Sequence, residues 1–302
     1  MNIIKNIPLP ISGLILALLS LGNLLQDIHP ALRYLFGTLG VIFLILIILK
    51  VILYPDEIKN DFQNPVLVSS SGTFSMSVML LSTYLLPFIP SIAYVIWIIG
   101  IGLHIMLMIY FTYHFIIHNF DINAVYPTYW IVFVGITMAA ITSHSHSVEE
   151  TGFIFFICGF VGMLLSTPVI FYRYIKHRDI PDVNKPLICI FTALFSILIV
   201  GYINSAKIIN TTFLIGLYSI ACPFYIFALY KLIEHINIKF YPSFSAFTFP
   251  FVISALATKG ICANIGKNNL LNNILIIETV IAIILVIYVL IKYLKFLKIV
   301  EK

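Results

Sequence analysis

Ten long apolar stretches follow one another along the chain, separated by short polar connections. A helix that crosses a bilayer takes roughly 20 residues, and none of the stretches shows the strict alternation that is typical of a membrane β-strand. Because a backbone in hydrocarbon must satisfy its own hydrogen bonds, the pattern predicts ten transmembrane helices. They cover residues 10–26, 33–52, 66–85, 92–117, 128–143, 152–173, 187–206, 212–232, 243–258 and 271–293.

The composition excludes a water-soluble or disordered chain. Of 302 residues, 61% are hydrophobic and 10% are charged, and the mean hydropathy is +1.07, far above the values of globular proteins. Ten spans leave little sequence for a soluble domain, so residues 1–302 are predicted to form a single transmembrane domain. The sequence lacks the common hydrolase, zinc-peptidase and nucleotide-binding motifs, which predicts a protein that is not an enzyme and needs no cofactor.

Lysine and arginine residues in the connections predict the orientation. With the N-terminus inside, 13 of the 17 lie on the cytoplasmic side, and cytoplasmic loops carry an excess of these residues. Only Arg33, Lys207, Lys259 and Lys267 fall outside. Both termini are therefore predicted to be cytoplasmic. The net charge of +5 is scattered over short loops, so no nucleic-acid partner is expected.

The odd-numbered and even-numbered helices differ in composition. Gly, Ala, Ser and Thr make up 35 of 89 residues in the odd helices but 19 of 112 in the even ones. A proline also stands at or just before the start of every odd helix, at near-constant intervals, which indicates five helical hairpins of like construction. Small residues allow close helix approach, so we expect the odd helices to form an inner ring around a central pore. The prolines are Pro10, Pro65, Pro127, Pro186 and Pro242.

Small residues of the inner ring are the candidates for the pore lining, with helix packing alone as the alternative interpretation. A cation pathway normally carries acidic side chains, and helices three, five, seven and nine contain none within their windows. Helix dipoles with their positive ends at the cytoplasmic mouth would favour an anion. The lining candidates are Gly13, Ser71, Gly72, Ser75, Gly135, Ser196 and Thr248.

A few ionisable residues lie in or near the spans and are candidates for function. Glu278 in the tenth helix is predicted to form an ion pair with Lys259 at the external end of the ninth, with proton transfer as the alternative. His104 in the fourth helix is predicted to be neutral and hydrogen-bonded. The segment His144–His146 with Glu149 contains zinc-ligand residue types, but a hydrated loop is the favoured interpretation and no metal site is predicted.

Four segments carry a family resemblance. They are Asn64-Pro65-Val66 followed by TFSMSVMLL, the string YPTYWIVFVGITMAA from Tyr126, Lys185-Pro186, and YPSFSAFTFPFVISALA from Tyr241. Together they resemble the tellurite-resistance/C4-dicarboxylate transporter family, which includes plant slow anion channels and malate carriers. The resemblance implies five hairpins around a pore, a homotrimer with one pore in each subunit, and a pore-closing phenylalanine in the ninth helix.

Aligning the family string with Ala246-Phe247-Thr248-Phe249 places that pore gate at Phe249. Phe247 is the rival position, two residues earlier and on nearly the opposite side of the helix. Pro250 is retained and is predicted to act as a hinge of the ninth helix, because proline removes one backbone hydrogen bond from the preceding turn.

The predicted function is a plasma-membrane anion channel or facilitative transporter for small inorganic anions or C4-dicarboxylates such as malate. The alternative is a proton-coupled carrier of dicarboxylates or other organic anions, using Glu278 or His104, with a link to tellurite resistance. A membrane enzyme or scaffold is disfavoured by the lack of catalytic motifs. The expected partners are small anions as cargo, the lipid bilayer and further copies of the chain.

Overall fold

The computed structural model describes residues 4–266 and 268–301, and within these ranges the chain is helical and contains no strand. Lys267 and Lys302 lie outside the described residues. The charge count predicts Lys267 on the external side of the membrane and Lys302 on the cytoplasmic side. The helices are α1 (Ile11–Leu25), α2 (Pro30–Leu53), α3 (Pro55–Asp61), α4 (Pro65–Leu85), α5 (Pro90–Phe111), α6 (Thr128–Phe133), α7 (Thr137–Ser143), α8 (Glu149–Lys176), α9 (Phe191–Ser205), α10 (Thr211–His235), α11 (Phe249–Ile265) and α12 (Asn269–Glu301).

Eight helical segments are long and apolar enough to cross a membrane among the described residues. The first helix is a shorter apolar helix of 15 residues, and the segment predicted as one helix over 128–143 is divided into α6 and α7. The protein is therefore an all-helical, multi-pass membrane protein. The arrangement as ten crossings with cytoplasmic termini stays a prediction and is taken up under the proposed function.

The helices form two layers. Every residue of α1 except Asn23 is buried, and at least 67% of the apolar window is buried in α4 and in the segments 182–205 and 242–265. In the other five spans the buried share is at most 33%. This difference follows the composition, because the buried helices are those rich in small residues, which permit close packing.

The buried layer is a closed ring. Helix α1 contacts α4, α4 contacts α6 and α7, α7 contacts α9, α9 contacts α11, and α11 returns to α1. We call α1, α4, α6–α7, α9 and α11, with the 3-10 turns that precede α9 and α11, the inner ring. Each inner element also packs against the helix that follows it in the chain, namely α2, α5, α8, α10 or α12.

Pairs of hydroxyl groups join neighbouring inner elements. Ser12 Oγ lies 2.7 Å from Thr73 Oγ1, joining α1 to α4. Ser69 donates to Thr128 Oγ1 at 2.8 Å, joining α4 to the start of α6. Ser254 Oγ on α11 lies 3.0 Å from Thr192 Oγ1 on α9. Interhelical hydrogen bonds of this kind stabilise helix packing inside a membrane, where no water competes for the hydroxyl groups.

Three inner elements are irregular where the sequence predicts continuous helices. The fifth predicted helix breaks after Phe133, where the backbone amides of Val134 and Gly135 both donate to the Trp130 carbonyl. The seventh begins as a 3-10 turn over Asp182–Ile190. The ninth begins as a 3-10 turn over Pro242–Phe247 and changes to α11 at Thr248, with φ −110° and ψ −84°. Irregular backbone at membrane depth is tolerated where it is buried in protein or lines a cavity.

Candidate functional site

The inner ring encloses a cavity of about 60 Å³ near the end where its five elements begin. We call it the amino-end cavity. Its wall is mostly apolar, with hydroxyl groups from Ser70, Thr73, Thr128 and Ser245. All five inner elements contribute to it, and the wall includes residues of the break in the fifth predicted helix and of the 3-10 starts of the seventh and ninth. The breaks in these helices therefore lie where they line an internal space.

A second cavity of about 370 Å³ lies between the same five elements near the end where they finish. We call it the carboxyl-end cavity. It is more polar, with Asn23, Thr83 and Asn204 among its lining residues. Arg33 from α2 and Lys259 from α11 also line it, and they are the only charged side chains that line either cavity among the described residues.

A constriction separates the two cavities. Each inner element lines the amino-end cavity up to one residue and the carboxyl-end cavity from a later one. These two residues are three to seven positions apart, which is a rise of roughly 5–10 Å along a helix. These pairs are Gly13 and Ser20, Met76 and Leu80, Gly135 and Met138, Ile197 and Val200, and Pro250 and Ile253. The two cavities are thus separated by about one to two helical turns of side chains.

The two candidate phenylalanines have different surroundings. Phe249, the first residue of α11, lines the amino-end cavity next to the constriction. Phe247 is fully buried, and its ring lies 5.0 Å from that of Phe244. Phe249 therefore lies at the wall of the amino-end cavity, and Phe247 belongs to an aromatic cluster beside it.

The predicted lining residues divide into three groups. Gly13 and Gly135 line the amino-end cavity. Ser71 and Ser75 lie on a different face of α4 and line a lateral crevice to which all of α1 to α5 contribute. For these two serines the predicted pore position is wrong, because composition identifies the inner helix but not the face that each residue presents.

The other three candidates lie at contacts between helices. A Cβ at Gly72 would stand 2.9 Å from Ile131, so this glycine permits the close approach of α4 and α6. Ser196 Oγ pairs with Ser254 Oγ at 3.0 Å, and Thr248 is fully buried and donates to the Ser245 carbonyl at 2.6 Å. Packing, the alternative interpretation of the small residues, accounts for these positions.

Pro250 lines the amino-end cavity and is the second residue of α11. Proline is well accommodated there, because the amide that it lacks would have no partner in the first turn of a helix. The break in the ninth predicted helix instead falls at Thr248. The predicted hinge within a continuous helix is therefore replaced by a junction between a 3-10 turn and an α-helix.

The predicted ion pair between Lys259 and Glu278 is wrong. Lys259 Nζ lies 2.7 Å from Asp27 Oδ2, in the connection between α1 and α2. Glu278 is 6% exposed, and its Oε2 atom lacks a hydrogen-bond partner in the described part of the chain. The two residues share one end of the bundle, but the α1–α2 connection brings a nearer carboxylate to the lysine.

The histidines have hydrogen-bonded positions. His104 is fully buried and lies between Ser75 Oγ at 2.7 Å and the Val132 carbonyl at 3.1 Å, as the neutral interpretation predicts. His144 pairs with Glu149 at 2.9 Å. His146 bonds to Ser82 Oγ at 2.8 Å, and burial lowers its pKa. Among the described residues no group of three or more His, Cys, Asp or Glu side chains could hold a metal ion.

Arg33 and Asp27 contribute to the site but have no functional role in the sequence-based prediction. In that prediction Arg33 serves only to indicate the orientation of the chain in the membrane. Its position at the start of an apolar stretch was the available signal, because an arginine at the edge of a span can turn its long side chain back over the helix end. Asp27 carries no comparable signal, since only the fold brings it to Lys259.

Comparison with known proteins decides the family. A family model described as voltage-dependent anion channel matches residues 7–294. The chain belongs to the voltage-dependent anion channel family. Membership confirms the family resemblance of the four sequence segments, and it assigns the chain to channels and transporters in general terms.

Two curated relatives of this family member come from Methanocaldococcus jannaschii. The protein named uncharacterized transporter MJ0762 is 27% identical over 218 residues, which is 68% of this chain and 62% of that protein. Uncharacterized transporter MJ0576 is 26% identical over 218 residues, or 68% of this chain and 61% of that protein. The match thus spans about three fifths of the length of these relatives.

Proposed function

We propose that this family member is an anion channel or facilitative transporter whose path runs through the two cavities of the inner ring. Its cargo is small inorganic anions or C4-dicarboxylates such as malate, and Phe249 is the gate. The ten predicted helices cross the membrane as five hairpins with both termini in the cytoplasm. We further propose that the protein is a homotrimer in the plasma membrane, with one path in each subunit.

The charges along the path carry this proposal. Among the described residues, Arg33 and Lys259 are the charged side chains that line the two cavities, and no aspartate or glutamate lines them. Charged groups at the mouth of a low-dielectric path raise the local concentration of ions of opposite sign, and rings of arginine or lysine are typical of anion pores. Family membership supports the same class of cargo.

Recording from the purified protein in planar bilayers tests this function. With chloride, nitrate and malate supplied in turn, we expect currents whose reversal potential follows the anion gradient. Basal currents are expected to be small, because the constriction closes the path. Saturable uptake that is driven by a pH gradient and carries no such current would contradict the channel and favour a carrier.

The buried carboxyl group of Glu278 favours the second candidate, a proton-coupled carrier. Its Oε2 atom is buried and has no hydrogen-bond partner among the described residues. Ionisable residues inside a membrane protein are often part of proton pathways. However, Glu278 is on α12, outside the inner ring, and lines neither cavity.

We therefore expect Glu278→Gln to leave anion flux into proteoliposomes largely intact, because it preserves the shape of the side chain and lies away from the path. Flux should be measured with and without a pH gradient, after matching the amount of protein inserted. Loss of pH-driven uptake by a normally folded variant would assign the proton site to Glu278.

A further inference from the structure

Arg33 holds a positive charge at the carboxyl-end cavity without a carboxylate partner among the described residues. Its Nη1 atom donates to Gln26 Oε1 at 3.1 Å, and its Nη2 atom donates to the Thr83 carbonyl at 2.9 Å. The guanidinium also lies over the ring of Tyr84 at 4.7 Å. Its Nε atom is buried and has no acceptor in the part of the chain that the structure describes. Since arginine stays protonated in proteins and Arg33 lines the cavity, its positive charge remains available to an anion.

Lys259, the second cation of the cavity, is paired with an exposed carboxylate. The Asp27 side chain that meets it is 68% exposed, against 31% for Lys259. Lys259 also reaches the Leu24 carbonyl at 3.5 Å. Exposed ion pairs contribute little to stability, because solvent screens them and both side chains lose freedom. Asp27 thus places a tethered carboxylate against a cation that lines the path.

We propose that Arg33 and Lys259 form a recognition site for carboxylate anions in the carboxyl-end cavity, and that the Asp27 carboxylate occupies Lys259 until an incoming anion displaces it. The proposal rests on the anion pathway proposed above and adds a ligand class and an internal competitor. Asp27 indicates that the ligand class is carboxylates, because the group already bound to Lys259 is itself a carboxylate. Arg33 adds a charged guanidinium group, which pairs favourably with carboxylates.

Equilibrium binding of malate to the purified full-length protein tests this site without requiring flux. Calorimetric titration should detect malate binding to the wild-type protein. Asp27→Asn should tighten binding by about fivefold, the factor that corresponds to the loss of one exposed competing ion pair. Lys259→Gln and Arg33→Gln should each weaken binding by about tenfold, because each removes a cation from the site.

Lys207→Gln is the matched control. Lys207 lies in the connection between α9 and α10, is 87% exposed, and pairs with Glu150 at 3.9 Å outside the carboxyl-end cavity. The Lys207→Gln substitution removes one positive charge at the same end of the bundle. Because Lys207 does not line the carboxyl-end cavity, we expect malate binding to be unchanged. Arg33→Lys, which keeps the charge, provides the comparison if Arg33→Gln does not fold.

The outcomes separate this site from the proposed function. Three results would overturn the site. Asp27→Asn could bind malate no more tightly than the wild-type protein, Lys207→Gln could weaken malate binding as much as Lys259→Gln does, or the wild-type protein could fail to bind malate. If currents flow but binding ignores Asp27 and Lys259, the site fails and the channel stands. If the binding pattern is as expected but no anion current is found, the site stands and the channel fails.

Discussion

Truncation of Phe249 to alanine is expected to raise the basal anion current at least tenfold. The ring lines the amino-end cavity beside the constriction that separates it from the carboxyl-end cavity. An apolar aromatic group in a narrow path excludes ions and water, and a barrier lowered by about 1.4 kcal/mol gives a tenfold higher rate. The measurement is macroscopic current in planar bilayers, normalised to the amount of reconstituted protein.

Phe247→Ala is the matched control for this result. It removes the same ring two positions away, from a fully buried site that packs on Phe244. We expect it to lower stability without opening the path. The assignment of the gate is wrong if Phe249→Ala is well folded and as silent as the parent protein while Phe247→Ala conducts.

Gly135→Ala is expected to lower the free energy of unfolding by about 2 kcal/mol or more. A Cβ at this position would stand 2.1 Å from the Ile131 carbonyl oxygen and 2.9 Å from the His104 ring. The backbone carbonyl cannot move aside alone, because Ile131 belongs to α6. Thermal denaturation of the detergent-solubilised protein measures the effect.

Two other glycines provide the comparison. Gly102→Ala should leave stability unchanged or slightly higher, because a Cβ there meets open space. At Gly13 the three atoms nearest to a Cβ would all belong to Ser245, with its side chain at 3.1 Å, so Gly13→Ala should fold and narrow the amino-end cavity. If Gly135→Ala is as stable as Gly102→Ala, the close contact around the break is not present in solution.

These contacts change how the flux of a variant with a larger residue at Gly135 should be interpreted. From the sequence, a leucine there would narrow a path lined by small residues. In the structure the first added carbon already meets the backbone, so reduced flux from such a variant would report a disturbed fold. Gly13 is the better position for testing the width of the path.

The sequence predicts which helices are buried because their composition records how closely they pack. Small residues mark α4, α9 and α11 as inner elements, and the burial of these helices agrees. Composition does not say which face of a helix a residue occupies. For this reason Ser71 and Ser75, on an inner helix, line a lateral crevice, while Gly13 and Gly135 line the axis.

Features that depend on distant parts of the chain could not be predicted in the same way. The contact of Asp27 with Lys259 joins residues far apart in sequence, and no local pattern distinguishes Asp27 from Glu278 as the partner. The junction at Thr248 and the break after Phe133 depend on how the inner elements meet. Local propensity and hydropathy instead predict uninterrupted helices at both places.

The reversal potential of Phe249→Ala tests the central claim most directly, because it reports both conduction along the proposed path and the sign of the permeating ion. Purified protein should be recorded in a planar bilayer with a tenfold gradient of potassium chloride. The account predicts a reversal potential near the chloride equilibrium value, about 59 mV in magnitude for a monovalent ion. A reversal potential of the opposite sign, close to the potassium equilibrium value, would contradict it.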